Sequence, residues 1–573
     1  MTARIFKALI IFTLMFSLTA CNNKDEAKNK DKKKDEKTAQ TTSNQKGKKI
    51  GLTPEPRHNP NSPNFINDTK DEIFSHDQGS RLNLTNEQGS GKTQAYQNPK
   101  QSRNSQNNKD SNFSLGNDYN NQASIRNVAP GKKPRNIIVL IGDGMGMGQM
   151  EVARLFEHGK EGRLFMQGLP HVALSQTYSA DNTVTDSAAA GTAIATGNKT
   201  NNTMIGITPD GTDLSTILDA SKAAGKKIGV VSTNTVTDAT PAAFYASVKT
   251  RAGQDEIARQ LFQKDLDVVL GGGRDYFTPK RQNGVDLIQG FKEKGYTYVT
   301  NRGELNAAEG TKLIGLFHDS FMNYKIDRDE LNSTEPTLTE MTAKTIEFLS
   351  KDAAKNGFFA MIEGARIDHA AHAADFTSIW KETVEFDDAV RYAVEWAKKD
   401  GNTLVLALAD HETMGITATE PMQIAQLKNV AVSPEYMGSQ LKWDKDKNVF
   451  TAESVKDVFS RFANINLNEE QITQFNRRVL DSQGKQVPPH ILGWEIGTII
   501  AETYHAGALN TEIRSLSPTG GHSANMVPIF GYGVGADNFE GVLDNTNLSK
   551  MIAQLAGYNM EGGKRTPPGQ GNK

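Results

Sequence analysis

Seven short runs of apolar and β-branched residues constrain this 573-residue chain more than any other feature. They are Asn136 to Ile141, Lys227 to Ser232, Asp267 to Leu270, Lys312 to Phe317, Phe358 to Ile362, Thr403 to Ala409 and Val527 to Tyr532. Hydrophobicity in them is continuous rather than alternating, so a strand built from such a run must be covered on both faces. Helical patterns over Thr337 to Leu349, Phe376 to Ala397, Ile491 to Tyr504 and Asn547 to Ala556 supply the cover. The expectation is an α/β fold: a large, mainly parallel central sheet flanked by helices on both faces.

The chain ahead of these runs has a different character. Arg4 and Lys7 precede the apolar stretch Ala8 to Phe16, which is too short to span a bilayer, and Leu18-Thr19-Ala20-Cys21 follows. Residues 1–20 read as a signal peptide and Cys21 as a site of lipidation, the alternative being an ordinary signal peptide with an incidental cysteine. Cys21 is the one cysteine, so the mature domain has no internal disulfide. Residues 21–132 are rich in Lys, Asn, Gln, Ser and Asp and lack apolar pairs to seed a core, which predicts a disordered tether. Its lysines Lys32, Lys33 and Lys34 are interleaved with Asp31, Asp35 and Glu36, the pattern of a solvated linker rather than a headgroup binder. One large domain is expected over residues 133–563, with no second linker and no internal repeat, then a flexible tail over 564–573. The expected location is outside the cytoplasm, anchored on the periplasmic side of a membrane or at the cell surface. A net charge of −2 points to no nucleic acid as a specific partner.

Parallel sheets build their sites at the carboxyl ends of their strands. Asp143 follows the first run, Asp238 and Thr240 lie just past the second, Glu363 and Asp368 follow the fifth, and Asp410 and His411 end the sixth. Asp368 and His372 share one face of a helical turn, and His522 follows Gly520-Gly521. In a chain with 11 histidines, three therefore stand beside carboxylates or glycines at ligand spacing. Ser187 comes directly after Asp186 at the start of a small-residue helix, whose N-terminus favours an anion. Carboxylates and imidazoles around a hydroxyl suggest metal-assisted hydrolysis. Singly, each residue has an ordinary explanation: an acid caps a helix, Ser187 caps its own helix, and Arg251 is a surface cation in Lys249-Thr250-Arg251. The joint pattern favours function.

Gly142-Asp143-Gly144, Thr185-Asp186-Ser187-Ala188-Ala189, Asp238-Ala239-Thr240-Pro241-Ala242 and Glu363-Gly364-Ala365-Arg366-Ile367-Asp368 resemble the alkaline phosphatases. So do His369 to His372, Ala409-Asp410-His411 and Gly520-Gly521-His522, in order from Asn136 to Tyr532. The resemblance implies two Zn²⁺ and one Mg²⁺ per subunit. Asp368, His372 and His522 would hold one zinc, and Asp143, Asp410 and His411 the other, facing Ser187. Asp143 would bridge to a magnesium held by Glu363 and Thr240. Zinc takes few nitrogen and oxygen ligands whereas magnesium prefers hard oxygen, which agrees with that division. Arg251 would clamp the phosphoryl oxygens with its planar fork. Asp238 would bond magnesium-bound water, and His369 would reach phosphate through water or pack behind the ligands.

The resemblance further implies hydrolysis of small-molecule phosphate monoesters by two in-line displacements through a phosphoserine, with broad specificity. A homodimer is also expected. A phosphodiesterase, sulfatase or phosphomutase with the same metal core is the nearest enzymatic alternative, and a non-catalytic phosphate- or metal-binding lipoprotein the alternative of another class. The segment 412–519 offers few motifs and is expected to lie over the surface as a lid, a dimer element or both.

Overall fold

A computed structural model describes residues 131–351, 356–558 and 560. The signal-like stretch, Cys21, nearly all of the tether and the C-terminal tail lie outside the described residues.

All seven apolar runs are strands. In chain order the strands are β1 Asn136–Gly142, β2 His171–Gln176, β3 Lys227–Thr235, β4 Val268–Gly272, β5 Thr297–Val299, β6 Leu313–Leu316, β7 Phe358–Gly364, β8 Thr403–Ala409, β9 Glu412–Thr413, β10 Trp443–Asp444, β11 Val449–Phe450, β12 His522–Ser523, β13 Val527–Gly533 and β14 Gly541–Asp544. Ten of them form one sheet in the order β14-β2-β13-β8-β1-β7-β3-β4-β6-β5. Within each central strand the side chains divide between two cores. Ile138 and Leu140 of β1 join the core on one face, and Ile137, Val139 and Ile141 the core on the other. β7 divides likewise, with Ala360 and Ile362 opposite Phe359 and Met361. Each such fully buried side chain contributes about 1.5–3 kcal/mol of transfer free energy, which is why these runs are apolar at every position.

Two features depart from the expectation. β13 runs antiparallel to both of its neighbours, β8 and β2, because an apolar run specifies burial but not direction. β2, β5 and β14 carry no continuous apolar signal: β2 (HVALSQ) exposes alternate residues and β5 is three residues long.

The helices take their expected places. Phe376–Asp400 is capped by Asp375, whose carboxylate accepts from the Ser378 N–H at 3.0 Å, and it ends at Gly401 in the left-handed region at φ 69°. Its buried stripe includes Ile379, Phe386, Val390 and Ala393, the spacing of one helical face. Among the described residues no helix is long and apolar enough to cross a membrane.

The 412–519 segment is not a surface cover alone. Val432, Met437, Val455, Phe459 and Ile496 lie in the same core as Ile138 and Leu140. The segment folds into helices such as Ala452–Ala463 and Pro489–Thr503. Helices satisfy their own backbone and can bury an apolar face, whereas an irregular loop cannot.

Candidate active site

Four adjacent strands, β8-β1-β7-β3, all parallel, bring their carboxyl ends to one edge of the sheet. Spacing of about 4.8 Å between neighbours then places the residues that follow them in one cluster. Asp143 follows β1, Glu363 is the penultimate residue of β7, Asp410 and His411 follow β8, and Thr240 follows β3. Because β13 is antiparallel, its beginning meets the end of β8, so His522 arrives at the same edge from the other direction. β9 and β12 then pair His522 with Thr413 and Ser523 with Glu412, closing the long segment between them. The rings of His411 and His522 consequently stack at 3.8 Å.

His411 is surrounded by oxygen. Its Nε2 lies 3.3 Å from Asp143 Oδ1, 3.3 Å from Asp410 Oδ2 and 3.0 Å from Ser187 Oγ. Its Nδ1 is 3.3 Å from Thr413 Oγ1, whose hydroxyl donates to Asp368 Oδ1 at 2.5 Å. That hydroxyl has a single proton, so His411 Nδ1–H must be the donor to Thr413, leaving Nε2 as a bare lone pair aimed at the carboxylates. Asp368, the third residue of the helix Arg366–His372, completes a group with Asp143 and His411 able to hold a cation.

Asp368, His372 and His522 form a second such group. His372 Nδ1 donates to Gly520 O and His522 Nδ1 to Thr185 O, both at 2.9 Å. A carbonyl only accepts, so both rings carry a proton on Nδ1, and the two Nε2 atoms face each other at 3.2 Å, that of His372 also lying 3.3 Å from Asp368 Oδ2. Burial holds His522 well below the usual imidazole range, as do its imidazole neighbours. The first group is 0–3% exposed at Asp143, Asp410 and His411, the second 7–8%, so the second stands nearer solvent.

Oxygen alone makes up the third set. Thr240 Oγ1 donates to Asp143 Oδ2 at 3.1 Å, and the Ser232 hydroxyl donates to Glu363 Oε2. Asp143 Oδ1, Glu363 Oε1 and Asp410 Oδ2 are buried with no hydrogen-bond donor among the described residues. Burial, then the charges of neighbouring carboxylates, push Asp143 well above the usual range, Glu363 up to about 8 and Asp410 to about 7. Gly144 N–H donates to Asp410 Oδ1 at 3.1 Å. Gly144 adopts φ 66°, and a Cβ there would come within 2.7 Å of Asp368 Oδ1, so only glycine lets this turn approach the carboxylates.

Ser187, 2% exposed, is the first residue of the helix Ser187–Thr196. Asp186 caps that helix by accepting from Ala189 N–H at 3.0 Å, and its other oxygen accepts from Thr203 N–H at 3.0 Å. Arg251 is anchored beside it, 3.4 Å from Asp186 Oδ2 and 3.2 Å from Asp238 Oδ2. Asp238 thus has Arg251 as its partner here. His369 contacts Arg366 and Phe321. Its Nδ1 is 2.5 Å from Arg366 Nη1, and its ring packs edge-on to Phe321. Burial and the adjacent guanidinium hold it well below the usual imidazole range. Arg366, 1% exposed, also bonds Glu435 at 2.9 Å and lies 3.6 Å from the Tyr324 ring centroid.

Thr413, Arg366, Trp494 and Arg514 escape sequence reasoning. Thr413 had a signal, lying two residues from His411; Trp494 and Arg514 had none, since their contacts cross from a distant segment.

A sequence model of the family described as Alkaline phosphatase matches residues 134–558. Alkaline phosphatase 4 of Bacillus subtilis is 33% identical over 437 residues, spanning 74% of this chain and 88% of that protein. The alkaline phosphatase of Escherichia coli is 37% identical over 344 residues, 50% of this chain and 72% of that one. Among solved structures, the Thermus thermophilus alkaline phosphatase is similar with a TM-score of 0.66 at 27% identity, covering 77% of this chain and 95% of the other. A cold-active alkaline phosphatase from Shewanella sp. gives a TM-score of 0.62 at 28% identity, covering 74% and 99%.

Proposed function

The chain belongs to the alkaline phosphatase family and hydrolyses phosphate monoesters with bound metal ions, and we propose that Ser187 is its nucleophile and that each subunit holds two zinc ions and one magnesium ion. The observation that supports this most is the convergence of the Nε2 atoms of His372 and His522, 3.2 Å apart, beside the Asp368 carboxylate. Two imidazole nitrogens and a carboxylate brought this close would together hold one cation. The buried, donorless oxygens of Asp143, Asp410 and Glu363 support the same reading for the inner sets. Nitrogen-containing sets suit zinc, and the set of Asp143, Thr240 and Glu363 suits magnesium. A TAB5 alkaline phosphatase variant, 30% identical, is described with Mg bound in its M3 site.

When bound, the ions supply positive charge that lowers hydroxyl and water pKa values and offsets charge on the entering and leaving oxygens. The protein's own groups do the rest. Ser187 Oγ forms a bond to phosphorus as the ester oxygen departs and takes up a proton. Water then attacks phosphorus, the Oγ–P bond breaks, and phosphate and serine are regenerated. The amide N–H groups at the start of the Ser187–Thr196 helix face the anion. Arg251 has five N–H donors and spends two on Asp186 and Asp238, so it has donors left for phosphoryl oxygens, and its two carboxylate partners fix the plane of its fork. A terminal phosphoryl group presents the oxygens this fork matches, whereas a diester has fewer to offer.

The metal reading has a test independent of turnover. Folding of the metal-free protein raises Asp410 from 3.8 to about 7 and Glu363 from 4.5 to about 8, while burial lowers the imidazoles of His411, His522 and His369. Below about pH 6.5 the two effects oppose; above it the imidazoles are neutral in both states, so stability is expected to fall as pH rises to about 8 and then to level off. Bound cations neutralise these carboxylates, so the melting-temperature gap between metal-replete and chelated protein should widen from about pH 6.5 to 8. Metal analysis should count two zinc and one magnesium. A gap independent of pH, or no bound metal, would overturn the assignment.

The export signal and Cys21 support a lipid-anchored form outside the cytoplasm, and the family supports a homodimer. Cys21→Ser should move the full chain from the membrane fraction to the soluble one with turnover unchanged, sedimenting as a dimer. Continued membrane association would exclude the lipid as the anchor, and a monomer would exclude the dimer.

A further inference from the structure

We propose that Trp494 and Arg514, both from the long segment between Glu412 and Thr519, are positioning residues that set the imidazole of His372 for the outer metal. The proposal rests on the reading of Asp368, His372 and His522 as one ligand set. It differs in assigning the orientation of that set to a part of the chain that contains none of the three.

His372 ends the short helix Arg366–His372, where helical hydrogen bonding gives out and a side chain has freedom to turn. Three contacts from the segment and its junction remove that freedom. The Trp494 ring stacks on the imidazole with centroids 5.1 Å apart and planes 17° from parallel, while the tilted His522 ring lies with its centroid 5.1 Å away. Gly520 O accepts from Nδ1 at 2.9 Å, fixing the edge. Arg514 Nη1 donates to the backbone carbonyl of His372 at 3.2 Å, fixing the position of the residue itself.

Arg514 also joins these parts to one another. Its guanidinium carbon lies 5.2 Å from the Trp494 ring centroid, its Nη1 reaches Thr498 Oγ1 at 3.2 Å, and its Nη2 reaches Glu495 Oε1 at 2.8 Å. Arg514 and Glu495 are 5% and 8% exposed. A buried ion pair is a weak source of stability but a directional one, which suits a role in holding geometry. Gly520 fits the same constraint. At φ 73°, a Cβ on it would meet Trp494 Cη2 at 3.0 Å and His372 Cε1 at 3.2 Å, so the ring pair and the glycine exclude any larger residue.

Partners that orient metal-binding histidines typically change metal affinity by about 10- to 100-fold when removed. The inner set is built on β1 and β8 and has no contact with Trp494 among those found, so the effect should fall on one ion. Zinc-loaded full-length protein is mixed with a chelator and release is followed in time. The outer phase is identified as the one missing in His522→Ala. Trp494→Ala is expected to speed that phase by about 10- to 100-fold and leave the inner phase unchanged. Trp494→Phe should restore most of the loss, because it returns a flat face. Arg514→Gln should speed the same phase.

Cobalt-substituted protein gives a second readout, since its visible spectrum reports ligand geometry. The spectrum of the outer ion should change in Trp494→Ala and return in Trp494→Phe. Should Trp494→Ala fail to fold, Trp494→Leu keeps apolar volume without the ring and carries the same measurements. Release at the wild-type rate in Ala or Leu, equal acceleration of both phases, or a Phe variant as impaired as Ala would each overturn the proposal. Wild-type protein that binds no ion at the outer set would instead overturn the reading of that set.

Discussion

Ser187→Ala is expected to eliminate the phosphoenzyme and to lower kcat by on the order of 10³- to 10⁶-fold, the upper bound being the loss seen when hydrolases lose a serine nucleophile. The side chain is buried, contacts His411 Nε2 at 3.0 Å and holds no other part of the fold together. Asp186, the neighbouring cap, still accepts from Ala189 N–H, so the helix keeps its start. Metal content and melting temperature should therefore stay at wild-type values. Residual turnover is expected, because Arg251, the helix N-terminus and the ions still stabilise charge at phosphorus. Acid quench during turnover followed by peptide mass analysis should find phosphate on Ser187 in the wild type and nowhere in the variant. Phosphate trapped on another residue, or a rate within tenfold of wild type, would remove Ser187 from the reaction.

His522→Ala should cost at least about 10²-fold in kcat, more than is usual for residues that merely orient ligands, and should strip one ion while leaving the other. The selectivity follows from geometry. His522 Nε2 faces His372 Nε2 at 3.2 Å and Asp368 Oδ1 at 3.6 Å, whereas the inner carboxylates surround His411. Metal analysis after gel filtration should show one zinc fewer, and added zinc should restore part of the rate, since Asp368 and His372 remain. Two tightly held zinc ions with unchanged kcat would mean that His522 is no ligand. Loss of all metal would mean that the two sets are not separable. Thr185 O loses a donor in this variant, so a small fall in melting temperature is expected as well.

Much of the fold was legible because burial is written locally. A strand covered on both faces is apolar at every position, and Asn136–Gly142, Phe358–Gly364 and Thr403–Ala409 satisfy that without reference to the rest of the chain. The ligand candidates were legible for a related reason: residues directly after parallel strands share one edge of the sheet, whatever the order of the strands. β2 and β14 were not legible, since His171 to Gln176 is half solvated and carries the pattern of an ordinary surface strand.

Local pattern along the chain carries the class of fold, the identity of the residues offered at strand ends, and a serine at the head of a helix. The tertiary structure decided which of those residues meet. Strand order places β8, β1, β7 and β3 side by side, and several interchangeable apolar strands contain no local mark of their neighbours. The reversed direction of β13 and the pairing of β9 with β12 bring His522 onto His411 across the whole 412–519 segment. The same closure sets Trp494 and Arg514 against His372 and gives Arg366 its bond to Glu435. These contacts join residues far apart in the chain, and their free energy exists only after the loops between them have closed, so composition, periodicity and spacing carry no trace of them.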